Sequence, residues 1–128
     1  MKPKAFDYLK VASSAEAVEA LADGGDDARI IAGGMSLVPM LNFRLVEPQV
    51  LVDISKAESL NYIKAENGHV EVGASTRQCE LEHWDELGDK LPILKAAFPF
   101  LGHYQTRAKG TVCGSLAHAD PSSELPLC

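Results

Sequence analysis

The apolar positions in the first third of the chain fall into short runs joined by one helical stretch. Residues 6–9 are mainly apolar and residues 29–32 are a short β-branched run, and both have the length that strands have. Between these runs, Ser13 and Glu16 have the spacing of a capping box, which predicts the start of a helix, and Gly24-Gly25 predicts its end. The expected apolar stripe of this helix consists of Ala17, Val18, Leu21 and Ala22. The pattern therefore indicates a β-α-β unit.

A second helical pattern begins after Ser36. Pro39 is tolerated in its first turn, and Pro48 is expected to end the helix. We expect its apolar stripe to lie in the core; the stripe consists of Leu37, Met40, Leu41 and Leu45. Residues 50–54 follow as a compact apolar run, which predicts a buried strand parallel to the earlier ones.

The pattern changes at residue 62, where two short runs flank a turn. Residues 62–65 and residues 69–73 surround Asn67-Gly68, a dipeptide favoured in tight hairpins. Ser75 and Gln78 then have capping-box spacing, which predicts a helix that continues through Trp84. We expect a first lobe in residues 1–55 and a second α+β lobe in residues 56–128.

Two helix starts are predicted further along the chain. Leu91-Pro92 begins a helix that runs towards Phe98. Ser122-Ser123-Glu124 has a capping serine and an acidic residue in the first turn, and the sequence ends four residues later. Leu125, Leu127 and Cys128 are therefore expected to be unburied, and we expect the sequence to be the N-terminal part of a longer subunit.

The β-branched run at residues 29–32 leads directly into a turn of small residues. Gly33 and Gly34 let the backbone approach a ligand, and Ser36 is expected to cap the next helix. Unpaired N–H groups at such a turn attract phosphate. A second small-residue turn spans residues 109–115. Neither turn matches the dinucleotide G-x-G-x-x-G pattern or the phosphate-loop pattern, and a single Gly turn usually serves backbone geometry alone.

Composition and charge narrow the class of protein. The chain is 46% hydrophobic and 23% charged, which is typical of a globular protein. It has no apolar run of the ~20 residues that a membrane span needs and no secretory signal, so cytoplasmic residence is expected. The net charge of −6 argues against nucleic-acid binding. The three cysteines are far apart and odd in number, which fits a reducing compartment.

Several polar residues suggest other chemistry. His118, Asp120 and Glu124 are residue types that bind metal ions, but Pro121 interrupts their spacing and no second cluster completes a site, so no metal is predicted. Asp120 is more simply a turn former. Glu124 either binds ligand hydroxyls or is a solvated acid at a helix start.

The second small-residue turn and its approach carry further candidates. Nearby amides would lower the pKa of Cys113, which suggests a nucleophile, but no histidine dyad accompanies it. His103 and His118 are expected to be structural or surface residues. Arg107 and Lys109 are either solvated or help to neutralise a diphosphate.

With both turns considered together, the sequence resembles the FAD-binding medium subunit of the molybdenum hydroxylases, the xanthine dehydrogenase and aerobic carbon monoxide dehydrogenase group. The resemblance covers essentially all 128 residues and corresponds to the N-terminal half of such a subunit. It is carried by residues 32–39, Val52-Asp53-Ile54, Val72-Gly73-Ala74 and residues 107–121. The implied fold class is α/β (α+β), a two-lobed FAD-binding domain of the molybdopterin dehydrogenase or PCMH-like type, here truncated.

The resemblance also implies the cofactor site. Both turns would wrap the FAD diphosphate, Glu124 would contact the ribityl region, and Leu101 would lie beside the cofactor. Met35 stands where histidine or asparagine is common, and Cys113 replaces the first glycine of a TxGG pair, although both residues keep an amide donor. The implied FAD-binding residues are Ala32, Gly33, Gly34, Met35, Ser36, Leu101, Thr111, Val112, Cys113, Gly114, Ser115 and Glu124.

The function that the resemblance implies is electron transfer. A molybdopterin-binding large subunit would oxidise the substrate, a 2Fe-2S small subunit would relay electrons, and FAD would pass them to NAD or another acceptor. No protein acid, base or nucleophile is nominated. Two alternatives remain open: a stand-alone FAD-dependent reductase of the same cofactor fold, and a non-redox phosphate- or nucleotide-binding module. The 128-residue piece by itself is expected to bind FAD weakly.

Overall fold

A computed structural model describes residues 1–128. The first half of the chain contains a three-stranded parallel sheet. The strands are β1 (Asp7–Lys10), β2 (Ala28–Ile31) and β3 (Val50–Asp53), in the order β1-β3-β2. Val50 pairs with Asp7 on one side and with Ala28 on the other. Because β3 has a neighbour on both edges, it is the buried strand of the sheet, as its continuous apolar run predicts.

Helix α1 (Ser14–Gly24) connects β1 to β2, so the predicted β-α-β unit is confirmed. Ser13 caps its start, where Ser13 Oγ accepts from the Glu16 N–H at 3.2 Å. The Glu16 carboxylate accepts from the Ala12 N–H at 2.9 Å, one residue before the N-cap N–H that a capping box engages, so the predicted box forms only in part. Gly25 ends the helix with a φ of 51°. The predicted stripe is wrong at Val18, which is 67% exposed, and at Ala22, which is also exposed, because the helix turns its Ala17 face towards the sheet.

The second predicted helix is shorter than its apolar stripe suggests. Helix α2 (Leu37–Asn42) ends well before Pro48, and Arg44 takes a φ of 55°, which turns the chain out of the helix. Leu45 is consequently 71% exposed, so its assignment to the core is wrong. Ser36 makes no side-chain capping bond, which corrects its expected role.

The second half of the chain begins with a hairpin. Strands β4 (Ile63–Glu66) and β5 (His69–Val72) pair antiparallel around Asn67-Gly68, whose φ values of 52° and 79° are those of a type I′ turn. This confirms the hairpin. Six short helices follow: α3 (Gln78–Glu82), α4 (Leu87–Lys90), α5 (Pro92–Ala97), α6 (Tyr104–Arg107), α7 (Val112–His118) and α8 (Glu124–Leu127). Single 3-10 turns lie at Gly25–Asp27, Glu58–Leu60 and Phe98–Phe100.

The start of α3 differs from its prediction. Glu80 Oε2 accepts from the Arg77 N–H at 2.6 Å, so Glu80 caps the start of the helix and the predicted Ser75–Gln78 capping box is wrong. The helix ends at Glu82, before Trp84. The helix that begins at Pro92 is confirmed.

Two buried clusters hold the fold together. The first packs α1 against the parallel sheet and includes Val11, Ala17 and Val52. The second lies among the helices and includes Leu81, Phe98 and Leu125. Leu125 is 4% exposed, so the expectation that it is unburied is wrong, whereas Leu127 is 87% exposed. The first cluster also takes in Ala57, Leu60 and Ala74, and a division of the chain between residues 55 and 56 stays a prediction.

Candidate functional site

A cavity of about 640 Å³ lies between the turn that follows β2 and the first turn of α7. Its volume is within the range of roughly 300 to 1,000 Å³ that ligand pockets have. The first small-residue turn forms one wall, from Ala32 to Ser36, and Cys113, Gly114 and Ser115 line the opposite side. Residues about 80 positions apart in sequence therefore share one concave surface.

The first turn presents a row of free hydrogen-bond donors. The backbone N–H groups of the five residues from Ala32 to Ser36 donate no hydrogen bond within the chain. Gly34 takes a φ of 71°, a left-handed conformation that glycine adopts without strain. Successive free N–H groups in such a turn form a concavity that binds anions. The expected anion-binding turn thus has the donors that a diphosphate needs.

The second turn is differently built, because its donors are largely engaged inside the protein. Thr111 caps α7, and its Oγ1 accepts from the Gly114 N–H at 3.1 Å. The Ser115 N–H donates to the Thr111 carbonyl at 3.2 Å, and the Val112 N–H donates to the Thr76 carbonyl at 3.1 Å. A β-carbon on Gly114 would lie 2.5 Å from Thr111 Oγ1, so glycine is needed for this cap to close. The second turn therefore contributes part of the cavity lining but few free N–H donors.

Direct backbone packing holds the two turns together. A β-carbon on Gly33 would lie 2.7 Å from the Gly110 α-carbon and closer still to the Lys109 carbonyl oxygen. The segment around Gly110 is fixed in turn by Gln78, whose N–H donates to the Gly110 carbonyl at 2.9 Å, and by a bridge between Arg77 and Thr111. The width of the cavity at this point is therefore set by glycine backbone on both sides.

The structure places most of the predicted site residues at this cavity. The lining includes every predicted residue of the first turn, Leu101, Thr111, Cys113, Gly114 and Ser115. Val112 points instead into the second buried cluster. Glu124 is half-buried at the start of α8 and does not line the cavity, although Asp120 and Ser123 do.

Cys113 lies in the cavity wall, but its surroundings oppose the nucleophile hypothesis. Burial raises the pKa of the Cys113 thiol above its ordinary value, opposite to the direction that nearby amides were expected to give. The Sγ atom lies 3.4 Å from the Val72 carbonyl oxygen, where the thiol donates. Both conditions favour the neutral thiol.

Arg107 is neither a solvated charge nor part of the cavity lining, where it could neutralise a diphosphate. Its guanidinium forms a bidentate ion pair with Glu82, with N···O distances of 2.8 and 3.1 Å. It also donates to the Leu101 carbonyl at 2.8 Å. Arg107 therefore anchors the segment that carries Leu101. Lys109, His103 and His118 are exposed, and Asp120 accepts from the Ser122 N–H at 2.9 Å, which confirms it as a turn former.

Gln78 is a cavity residue that the sequence does not reveal. The residue is 8% exposed and lines the cavity, and its side chain makes no hydrogen bond within the chain. In the sequence it is an ordinary polar residue near a helix start, far from both small-residue turns. Only the pairing of residues 76–78 with residues 110–112 brings it to the site.

The parallel sheet, the donor-rich turn after its edge strand and the facing glycine wall define a domain built to hold an anionic nucleotide-type ligand. Residues 4–128 match the family described as the FAD binding domain in molybdopterin dehydrogenase. The chain belongs to this family, whose cofactor is FAD. None of its helices combines the length and the apolar character required to cross a membrane.

Relatives and solved structures support the same family. The chain is 48% identical over 127 residues to the 6-hydroxypseudooxynicotine dehydrogenase complex subunit alpha of Paenarthrobacter nicotinovorans, covering 99% of this chain and 43% of that protein. It is 40% identical to the carbon monoxide dehydrogenase medium chain of Afipia carboxidovorans, covering 98% of this chain and 44% of that protein. A structure of reconstituted CO dehydrogenase from Oligotropha carboxidovorans superposes with a TM-score of 0.94 at 40% identity, covering 98% of this chain and 44% of that one. The chain thus spans less than half the length of these relatives.

The residues at the cavity fit FAD. Free N–H donors along the first turn suit the diphosphate, and Leu37, Met40 and Leu101 supply apolar surface for an aromatic ring system. The backbone of Gly33 and Gly34 carries no side chain that would fill the space beside these donors. The site therefore offers both kinds of surface that a dinucleotide cofactor needs.

Proposed function

We propose that the chain is the cofactor-binding part of an electron-transfer subunit in a molybdenum hydroxylase complex. The observation that carries this proposal is the run of five free N–H groups from Ala32 to Ser36 at the wall of the cavity. Family membership supports FAD as the ligand of that run. When bound, FAD supplies the redox chemistry, carrying electrons from 2Fe-2S centres to NAD or another acceptor.

The role of the chain's own residues in this proposal is to bind and orient. The first turn would hold the diphosphate, and the Thr111–Gly114 cap would keep the facing wall close. Leu101, fixed through its carbonyl by Arg107, would pack against the cofactor. Contacts from Val112 and Glu124 remain predictions, since neither residue lines the cavity.

The partners in the proposal are a molybdopterin-binding large subunit and a 2Fe-2S small subunit. Support comes from relatives whose names identify them as medium chains or as subunits of dehydrogenase complexes. We include cytoplasmic residence in the proposal, which three free thiols favour.

The test is to purify the natural subunit from its host with its associated proteins. The expected result is a yellow protein that releases FAD on denaturation and co-purifies with a large molybdenum-containing subunit. A colourless protein that cannot be reconstituted with FAD would overturn the proposal. FAD without any molybdenum subunit would instead favour the stand-alone reductase.

A further inference from the structure

Gln78 is the first residue of α3, and its carboxamide faces the cavity between the two turns. The residue is 8% exposed, and its side chain makes no hydrogen bond within the chain. No fully buried side-chain nitrogen or oxygen atom of the protein lacks a partner, so the unpaired Gln78 carboxamide keeps contact with solvent, and Gln78 lines the cavity. The two donors and one acceptor of this carboxamide are thus available at the cavity, where a ligand can replace the water that they contact. This combination is typical of a group that pairs with a ligand.

The position of the carboxamide limits which part of a ligand it can reach. Its amide nitrogen would lie 3.3 Å from a β-carbon on Gly110, so the side chain rests against the Gly110 backbone. Gly110 is also the residue on which Gly33 packs. The carboxamide and the first turn therefore both pack on Gly110 and both line the cavity.

The Gln78 side chain is held in this place by its own backbone. The Gln78 N–H donates to the Gly110 carbonyl at 2.9 Å, and the preceding residue, Arg77, is bridged to Thr111. Arg77 also donates to the Lys109 carbonyl through its guanidinium. These backbone contacts fix the position of Gln78, so no rearrangement of the backbone is required for its carboxamide to contact a ligand.

We propose that Gln78 is a cofactor-binding residue whose side-chain amide donates a hydrogen bond to the diphosphate that the first turn binds. A neutral donor is sufficient at this place because the first turn already supplies several N–H groups. The carboxamide adds a donor from the side of the second turn, so the diphosphate is held from two directions. This inference rests on the proposed function, since it takes FAD as the ligand.

The test measures FAD and ADP binding to the full-length subunit, freed of its FAD, by titration calorimetry. Gln78→Met keeps the length of the side chain and removes its hydrogen bonds, and it should weaken both ligands by about tenfold. Gln78→Glu keeps the shape and adds a negative charge, and it should weaken both ligands further. The matched control is Gln105→Met, because Gln105 is exposed on α6 outside the cavity and should bind both ligands as the wild type does.

Each outcome decides the inference. Unchanged affinities in both Gln78 variants, with wild-type FAD binding intact, would overturn it and leave the proposed function standing. Weaker FAD binding with unchanged ADP binding would also overturn it, because the contact would then lie outside the diphosphate. Failure of the wild type itself to bind FAD would overturn the proposed function and this inference together. Equal melting temperatures of the ligand-free variants and wild type would show that a loss of affinity is not a loss of folding.

Discussion

Gly33 and Gly110 pack backbone against backbone, with so little room that a β-carbon on Gly33 would lie 2.7 Å from the Gly110 α-carbon. These two residues belong to the separate turns that form opposite sides of the cavity. Their contact joins the turn after the parallel sheet to the segment that leads into α7. It therefore couples the stability of the fold to the shape of the site.

We expect Gly33→Ala to destabilise the protein by about 1–3 kcal/mol, because backbone rather than a flexible side chain occupies the space for the new methyl group. FAD affinity should fall as well, since the turns must separate. Urea unfolding and FAD titration measure the two effects. Gly88→Ala is the matched control: Gly88 lies in α4 with nothing within 4 Å of a β-carbon, so the change should be neutral or slightly stabilising. A Gly33→Ala protein as stable as the control would contradict the proposed coupling.

Arg107 and Glu82 form an ion pair with 13% and 21% of their side chains exposed. We expect Arg107→Met to cost about 3 kcal/mol, because the Glu82 carboxylate is left without its partner. Leu101 should also lose its anchor, which would weaken FAD binding. Thermal or urea unfolding gives the stability change.

The comparison for that variant is the exposed pair of Lys90 and Glu86, separated by 3.7 Å. Lys90→Met should change stability by no more than about 0.5 kcal/mol, because solvent screens this pair. Adding Glu82→Gln to Arg107→Met should recover part of the loss. Equal effects at the two ion pairs would show that burial does not strengthen the contribution of Arg107.

Cys113 should react slowly with thiol reagents at neutral pH, because burial raises the pKa of its thiol and only the thiolate reacts. We expect its alkylation at pH 8 to be about tenfold slower than that of exposed Cys128, as resolved by mass spectrometry of timed samples. The rate should keep increasing as pH rises beyond the ordinary range for cysteine. Faster labelling of Cys113 than of Cys128 at pH 7 would restore the nucleophile hypothesis.

Tyr8 donates its hydroxyl proton to Asp53 at the end of the parallel sheet. This hydrogen bond, with burial and the charge of Asp53, raises the pKa of Tyr8 to about 12. Burial alone would raise the pKa of Asp53, but hydrogen bonds from Tyr8 and Ser55 outweigh it and leave the pKa lowered. The pair therefore stabilises the fold at neutral pH.

The sign of the pH dependence follows for each partner. The contribution of Tyr8 is complete below its ordinary pKa of about 10 and is lost as pH rises through about 12. The contribution of Asp53 is present above the ordinary aspartate pKa and is lost as pH falls through its lowered value.

Tyr8→Phe should lower stability at pH 7 by about 1 kcal/mol, a value reduced for the half-exposed ring. In an ultraviolet titration, the tyrosine with the highest pKa should be absent from Tyr8→Phe. The matched variant Tyr62→Phe should retain it. If that high-pKa component remains in Tyr8→Phe, the hydrogen bond does not set the pKa.

The sequence identifies elements whose signals are local. The helix start at Ser13, the Asn67-Gly68 hairpin and the helix start at Pro92 depend on neighbours within a few residues, and all three are confirmed. The prediction fails where packing decides the outcome. Leu45 fits a helical stripe by spacing, but the left-handed conformation of Arg44 removes it from the helix and exposes it.

The site divides in the same way. The sequence by itself determined the parallel β-α-β unit, the small-residue turns and, through its resemblance, the FAD-binding family. These features depend on the type and spacing of residues that are neighbours in the chain. Only the tertiary structure decided that Gly33 rests on Gly110, that Arg107 serves Glu82, and that Gln78 reaches the cavity. These contacts join residues that are 25 to 77 positions apart. They depend on long-range packing, and long-range packing leaves no local pattern in the sequence.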